Sequence, residues 1–101
     1  MVIDFHTHCF ADSIAERAVN SLYEACGRIY EPCTNGTVKG LIDNMDKFGV
    51  DRSVILPVLT KPSQFKTVNE WAASVESYRI VSFAGFHPAT DDYRRDIDFI
   101  C

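Results

Sequence analysis

Two histidines near the start of the chain form its most informative chemical pattern. His6 and His8 lie at the end of a short apolar run that begins at Val2. Residues two apart on a β-strand point to the same side with Cα atoms roughly 6.6 Å apart, so both imidazoles can converge on one ion. A neutral imidazole nitrogen binds zinc at about 2.1 Å. The spacing therefore predicts a divalent-metal site, with a purely structural role for the rings as the alternative.

Two further polar residues are candidates for supporting roles. Asp4 precedes the pair and in a regular strand would share the side of His6, where it could fix an imidazole tautomer or serve as a structural hydrogen-bond acceptor. His87 ends a later apolar segment and is followed by Pro88. It is a candidate substrate-binding residue; the alternative is a helix-entry residue shaped by the proline.

The elements that must position these residues alternate between strands and helices. Strands are predicted over residues 2–6, 52–59 and 79–86, and helices over 12–26, 38–48, 67–75 and 91–100. Such alternation implies an α/β fold with a parallel sheet and right-handed crossovers. The two histidines follow the first strand, and parallel sheets place their functional groups at the carboxyl ends of strands.

Side chains that could cap helices set the expected helix boundaries. A Ser/Thr followed three residues later by Glu is the pattern of a capping box, and a glycine often follows the last turn. The predicted start signals are Ser13 with Glu16, Thr37, and Thr67 with Glu70; the predicted stop signals are Gly27 and Gly49. Trp71 lies in helical phase with apolar neighbours and is expected in the core.

Composition and charge exclude several classes of protein. Hydrophobic residues make up 47% of the 101 residues, charged residues make up 24%, and the formal net charge is −4. This is the composition of a folded domain rather than a disordered segment. The longest basic run is Arg94-Arg95, so nucleic acid is an unfavoured partner and a small molecule is the expected substrate.

Targeting signals and cysteine spacing indicate a cytoplasmic protein. No stretch approaches the ~18 apolar residues that a membrane span needs, and the N-terminus lacks the positive region of a signal peptide. The four cysteines form no CxxC pair and are expected as reduced thiols, each behaving as a small buried hydrophobic residue. These cysteines are Cys9, Cys26, Cys33 and Cys101.

Three segments carry a resemblance to a known family. The opening IDFHTHCF, the segment GTVKGLIDNMDKFGVDRSVILPV and the later FHP together resemble the amidohydrolase superfamily, in particular its amidohydrolase-related branch, which also contains decarboxylases and lactonases. That family folds as a (β/α)8 barrel whose first strand carries an HxH motif that binds a catalytic divalent metal, usually zinc. The resemblance therefore implies that His6 and His8 are zinc ligands.

The resemblance also implies what the 101 residues leave out. A barrel of this kind needs about 250 residues, so residues 1–101 are expected to be a single unit, the N-terminal part with about three β/α units. The family's remaining ligands, a Lys or Glu on strand 4, histidines on strands 5 and 6 and an Asp on strand 8, have no positions here. The general base is therefore expected beyond residue 101.

The implied function is that of a metal-dependent hydrolase acting on a carbonyl-type substrate, with decarboxylation as a variant. The first alternative is a TatD-type phosphodiesterase or deoxyribonuclease, since that branch also opens with HxH and carries HP after its third strand. A second alternative is a catalytically inactive fragment that binds metal weakly or forms homo-oligomers through its open sheet edges.

Overall fold

Three short parallel strands and four α-helices alternate along residues 1–101, all of which the computed structural model describes. The strands are β1 (Ile3–Thr7), β2 (Arg52–Ile55) and β3 (Ile80–Ser82), and the helices are α1 (Asp12–Ala25), α2 (Val38–Phe48), α3 (Phe65–Ser74) and α4 (Tyr93–Ile100). The sheet has the order β1-β2-β3 with both pairs parallel. The predicted α/β class and parallel sheet are confirmed.

Two strands are shorter than their apolar sequences predict. β2 ends at Ile55 rather than at residue 59, and β3 covers three residues rather than eight. Pro57 has no N–H to give to a neighbouring strand, so regular pairing stops just before it. Beyond Ser82, the backbone N–H of Phe83 still donates to Ile55, and regular pairing ends there.

The helix starts follow the predicted signal at α2 but not at α1 or α3, whereas both predicted stop signals hold: Gly27, with a φ of 70°, follows the last turn of α1, and Gly49 follows that of α2. The Thr37 hydroxyl accepts a hydrogen bond from the N–H of Gly40 at 3.0 Å, and Gly49 ends α2 with a φ of 70°. At the start of α1 no side chain caps the helix, so the predicted role of Ser13 is wrong. A 3-10 turn leads directly into α3, which places Thr67 inside the helix instead of at its cap.

The core lies between the sheet and α2. Its buried residues come from the loop after β1, from α2, from the end of β2 and from the start of β3; they are Cys9, Leu41, Met45, Ile55 and Ile80. Trp71 of α3 packs against this cluster, as its helical phase predicts. Because Ile55 is wholly buried in the central strand, it contacts both the sheet neighbours and the helix layer. None of the helices combines the length and the apolar character needed to cross a bilayer.

The cysteines divide into one buried thiol and three exposed thiols, and all four are free. The expectation of a buried hydrophobic role is confirmed for Cys9 and wrong for Cys26, Cys33 and Cys101. Those three lie at the end of α1, in the loop before α2 and at residue 101, where little packs over them. Burial raises the pKa of the Cys9 thiol to about 11.

This difference predicts the reactivity of the thiols. The thiolate is the nucleophile, so at pH 8 Cys9 is expected to react far more slowly with a disulfide reagent such as dithionitrobenzoate. Titration of the native chain should show three fast thiols and one that reacts on unfolding in guanidinium. Four equally fast thiols in the native chain would contradict the burial of Cys9.

Candidate metal centre

A β-bulge in β1 sets the direction of the histidine side chains. Asp4 pairs with Ser53 and Thr7 pairs with Ile55, so the interval on β1 contains one residue more than the interval on β2. Paired residues of neighbouring strands share a face, as do residues two apart on one strand. Asp4 and Thr7 therefore share a face, and the histidines on either side of Thr7 lie on the opposite one. Burial agrees, since Thr7 is buried while both histidines are exposed.

The bulge separates Asp4 from the imidazole of His6. A regular strand would place these two side chains on the same face, but the extra residue changes the phase between them. The Oδ1 atom of Asp4 instead accepts a hydrogen bond from the backbone N–H of His6 at 3.1 Å. A bulge leaves a backbone group without its ladder partner, so this carboxylate supplies the missing acceptor. Of its two predicted roles, Asp4 has the structural one.

Three hydrogen bonds fix the end of β1 to the end of β2. The backbone N–H of Leu56 donates to the carbonyl of Thr7 at 2.8 Å, and the Thr7 hydroxyl donates to the carbonyl of Val54 at 2.8 Å. The third bond joins Nδ1 of His8 to the carbonyl of Leu56, also at 2.8 Å. The ring of His8 is therefore held by the neighbouring strand as well as by its own.

The bond to Leu56 determines the tautomer of His8. A carbonyl oxygen only accepts hydrogen bonds, so we assign the proton of neutral His8 to Nδ1. Its Nε2 atom then carries a lone pair, and the Nε2 atom of His6 lies 3.1 Å away as the donor. This is the arrangement of metal-binding histidines, whose outer nitrogen donates to a carbonyl and whose inner nitrogen is free to bind.

The distance between the two nitrogens fits a shared ion. Two bonds of about 2.1 Å to nitrogens 3.1 Å apart enclose an angle of about 95°, close to the tetrahedral value of about 109°. The rings stand nearly perpendicular, at 78°, with their centroids 5.0 Å apart. Metal binding would require His6 to move its proton to Nδ1. The two imidazoles meet as their spacing predicts, and their binding of a metal stays a prediction.

No third histidine, cysteine or carboxylate joins the pair to complete a metal-binding group. The two acidic residues in the loop after β3 are engaged elsewhere: Asp91 forms an ion pair with Arg95, and Asp92 caps α4. Catalytic zinc usually has three protein ligands. His6 and His8 are thus candidates for two of those three ligands.

His87 follows β3, beyond the carboxyl end of that strand as His8 is beyond that of β1, and lies outside the histidine pair. Its Nδ1 atom accepts a hydrogen bond from the backbone N–H of Ala89 at 3.1 Å, within the turn that leads to α4. The ring is half-buried. This contact gives His87 a local structural role and leaves its Nε2 atom available.

Asn69, which sequence patterns do not mark, positions the segment that leads to His87. Its amide nitrogen donates to the carbonyl of Gly85 at 2.8 Å, and its amide oxygen accepts from the N–H of Gly85 at 2.9 Å. Asn69 is buried in α3. A polar residue at a helical position otherwise occupied by apolar side chains is the one signal that could have identified it.

Comparisons with known proteins add no relative: no family model, no curated protein and no solved structure matches the chain. The interpretation of the histidine pair therefore rests on its own geometry and on the motifs of the sequence.

Proposed function

We propose that this chain forms the first three β/α units of a metal-dependent hydrolase barrel of the amidohydrolase-related type. The observation that carries the proposal is the convergence of Nε2 of His6 and Nε2 of His8, 3.1 Å apart, at the carboxyl end of the first strand. The carbonyl of Leu56 supports it by holding His8 in the tautomer that a metal requires. Zinc is the metal that this donor pair and the family resemblance favour.

The sheet edges are consistent with an unfinished barrel. The strands follow one another in chain order, as strands do in a (β/α)8 barrel. Large apolar side chains stand exposed on the two outer strands and just beyond them, among them Phe5, which is 65% exposed, and Phe83, which is 52% exposed. In the proposed barrel, further strands would pair with the free edges of β1 and β3 and cover these side chains.

The residues of the chain have distinct parts in the proposed reaction. A divalent metal, when bound, activates water and polarises the substrate carbonyl. His6 and His8 hold that metal, and Leu56 orients His8 by accepting its Nδ1 proton. His87, which also follows the carboxyl end of a strand, is the proposed contact to substrate. The proposal requires a general base and further ligands that residues 1–101 do not supply.

Two measurements test this function. The first is the coding sequence after Cys101: an open frame of roughly 150 further codons with new His and Asp positions is expected for the barrel. The second compares zinc-dependent hydrolysis of lactones and carboxyl esters with that of bis-nitrophenyl phosphate by the protein that this frame encodes. We expect carbonyl substrates to be preferred. A stop codon at that point, or faster cleavage of the phosphodiester, would contradict the proposal.

A further inference from the structure

A cavity lies between α1, the residues that follow β1, the segment after β2 and α3. Its volume is about 280 Å³, near the lower end of the roughly 300–1,000 Å³ typical of small-molecule sites. Nine of its 14 lining residues are hydrophobic. Those that form most of its apolar wall are Phe10, Ile14, Leu22, Val58, Val68 and Trp71. None of the three histidines lines it.

A single charged side chain, Arg17 of α1, lines this cavity, and no acidic residue does. Arg17 makes no hydrogen bond, ion pair or ring contact. The other five arginines each have at least one such partner: Arg28, Arg52, Arg79, Arg94 and Arg95. A guanidinium group presents paired N–H donors that match a carboxylate, and it is less strongly hydrated than an ammonium group. The charge beside the cavity is therefore unmatched within the chain.

Gln64 adds a second free donor to the cavity lining. Its Oε1 atom accepts hydrogen bonds from the backbone N–H and the hydroxyl of Thr60, at 2.8 and 3.1 Å, and from the N–H of Lys61. These bonds turn the amide oxygen toward the loop and leave the Nε2 group without a partner. The polar groups of Thr60 and Lys61 thus stabilise the 3-10 turn through the Gln64 oxygen, and only the Nε2 group of Gln64 is left free to bind a ligand.

We propose that this cavity binds a small amphipathic carboxylate, with its hydrocarbon body against the apolar wall and its carboxylate on Arg17. The apolar lining favours a hydrocarbon chain or ring because its burial removes apolar surface from water. The single positive charge, with no acidic residue in the lining, selects a monoanion over a neutral or cationic ligand. This site is independent of the proposed metal centre, since the two share no residue.

The experiment measures octanoate binding by calorimetry to the chain, with EDTA present to exclude metal. Octanoate is expected to bind at least tenfold more tightly than octanol. Arg17→Gln should lower the octanoate affinity about tenfold, the low end expected for a charged hydrogen bond at an exposed site, and leave octanol binding unchanged. Arg94→Gln, on another exposed arginine, should have no effect.

A second pair of variants tests the cavity itself. Ser21 lines the cavity and Asn20 does not, and both are exposed on α1. Ser21→Trp should abolish octanoate binding, whereas Asn20→Trp should preserve it; circular dichroism confirms that both remain folded. Equal binding of octanol and octanoate, or retained affinity in Ser21→Trp, would overturn the proposal. His6→Ala should bind octanoate like the wild type, which separates this site from the proposed function.

Discussion

Replacing His6 with alanine is expected to weaken Zn²⁺ binding by at least about 100-fold. Loss of a residue that merely orients a metal ligand typically costs 10- to 100-fold in metal affinity, so loss of a ligand should cost no less. His6 suits this test because its imidazole is exposed and forms its only hydrogen bond with His8. The variant should therefore lose the metal while the fold is preserved. Calorimetric titration with Zn²⁺, or the absorption of bound Co²⁺, measures the change.

The matching variants make the result specific to the pair. His8→Ala should lose the same affinity and in addition release the bond between the ring and the carbonyl of Leu56. His87→Ala removes the third histidine of the chain and should leave Zn²⁺ affinity within twofold of the wild type. If His6→Ala binds zinc like the wild type, or if His87→Ala is equally impaired, the assignment of His6 and His8 is wrong. If the proposed hydrolase activity is correct, either ligand variant should lose metal-dependent turnover.

Replacing Ile55 with alanine is expected to lower the free energy of unfolding by about 3 kcal/mol, within the 2–5 kcal/mol typical of such core truncations. Ile55 is wholly buried in the central strand and belongs to the core cluster. Its truncation leaves a cavity between the sheet and α2 that neighbouring backbone cannot fill. Since small domains have total stabilities of about 5–15 kcal/mol, this loss is a large share. Urea denaturation followed by circular dichroism measures it.

Two isoleucine variants calibrate that measurement. Ile55→Val removes a single methylene group and should cost about 1 kcal/mol. Ile29→Ala removes a side chain that is 72% exposed, and its effect should fall within about 0.5 kcal/mol. A cost for Ile55→Ala no greater than that for Ile29→Ala would show that β2 is not the centre of the core.

The fold class was predictable because its signals are local. Helical periodicity and apolar runs placed every helix and strand, and Thr37 and Gly49 marked both ends of α2 correctly. The strand lengths were not predictable from hydrophobicity. Residues 56–59 are as apolar as a strand. Strand pairing, however, needs a backbone N–H to donate to the neighbouring strand, and Pro57 in this segment has none. Likewise, the 3-10 turn before α3 overrode the capping pattern at Thr67.

The residues of the candidate site were predictable from the sequence, but the groups that orient them were not. The spacing of His6 and His8 indicated that the rings could meet, whereas the partner that orients His8 is a backbone carbonyl, which no residue type reveals. The placement of Asp4 depended on a bulge, and a bulge is a property of the pairing of two strands. The sequence also gave no signal for Arg17, because the absence of a hydrogen-bond or ion-pair partner is visible only in the folded chain.

Because of the bulge in β1, the histidine motif can be transferred to another protein only together with its extra residue. On an unbulged strand, Asp4 and the two imidazoles would share one face, and the carboxylate would lie in phase with the ring of His6. The additional residue instead places Asp4 on the face of Thr7, with its carboxylate bonded to the backbone N–H of His6. Anyone grafting this motif onto a designed parallel sheet would therefore transplant the whole segment from Asp4 to His8, with a partner strand whose next residue offers its carbonyl to the second imidazole.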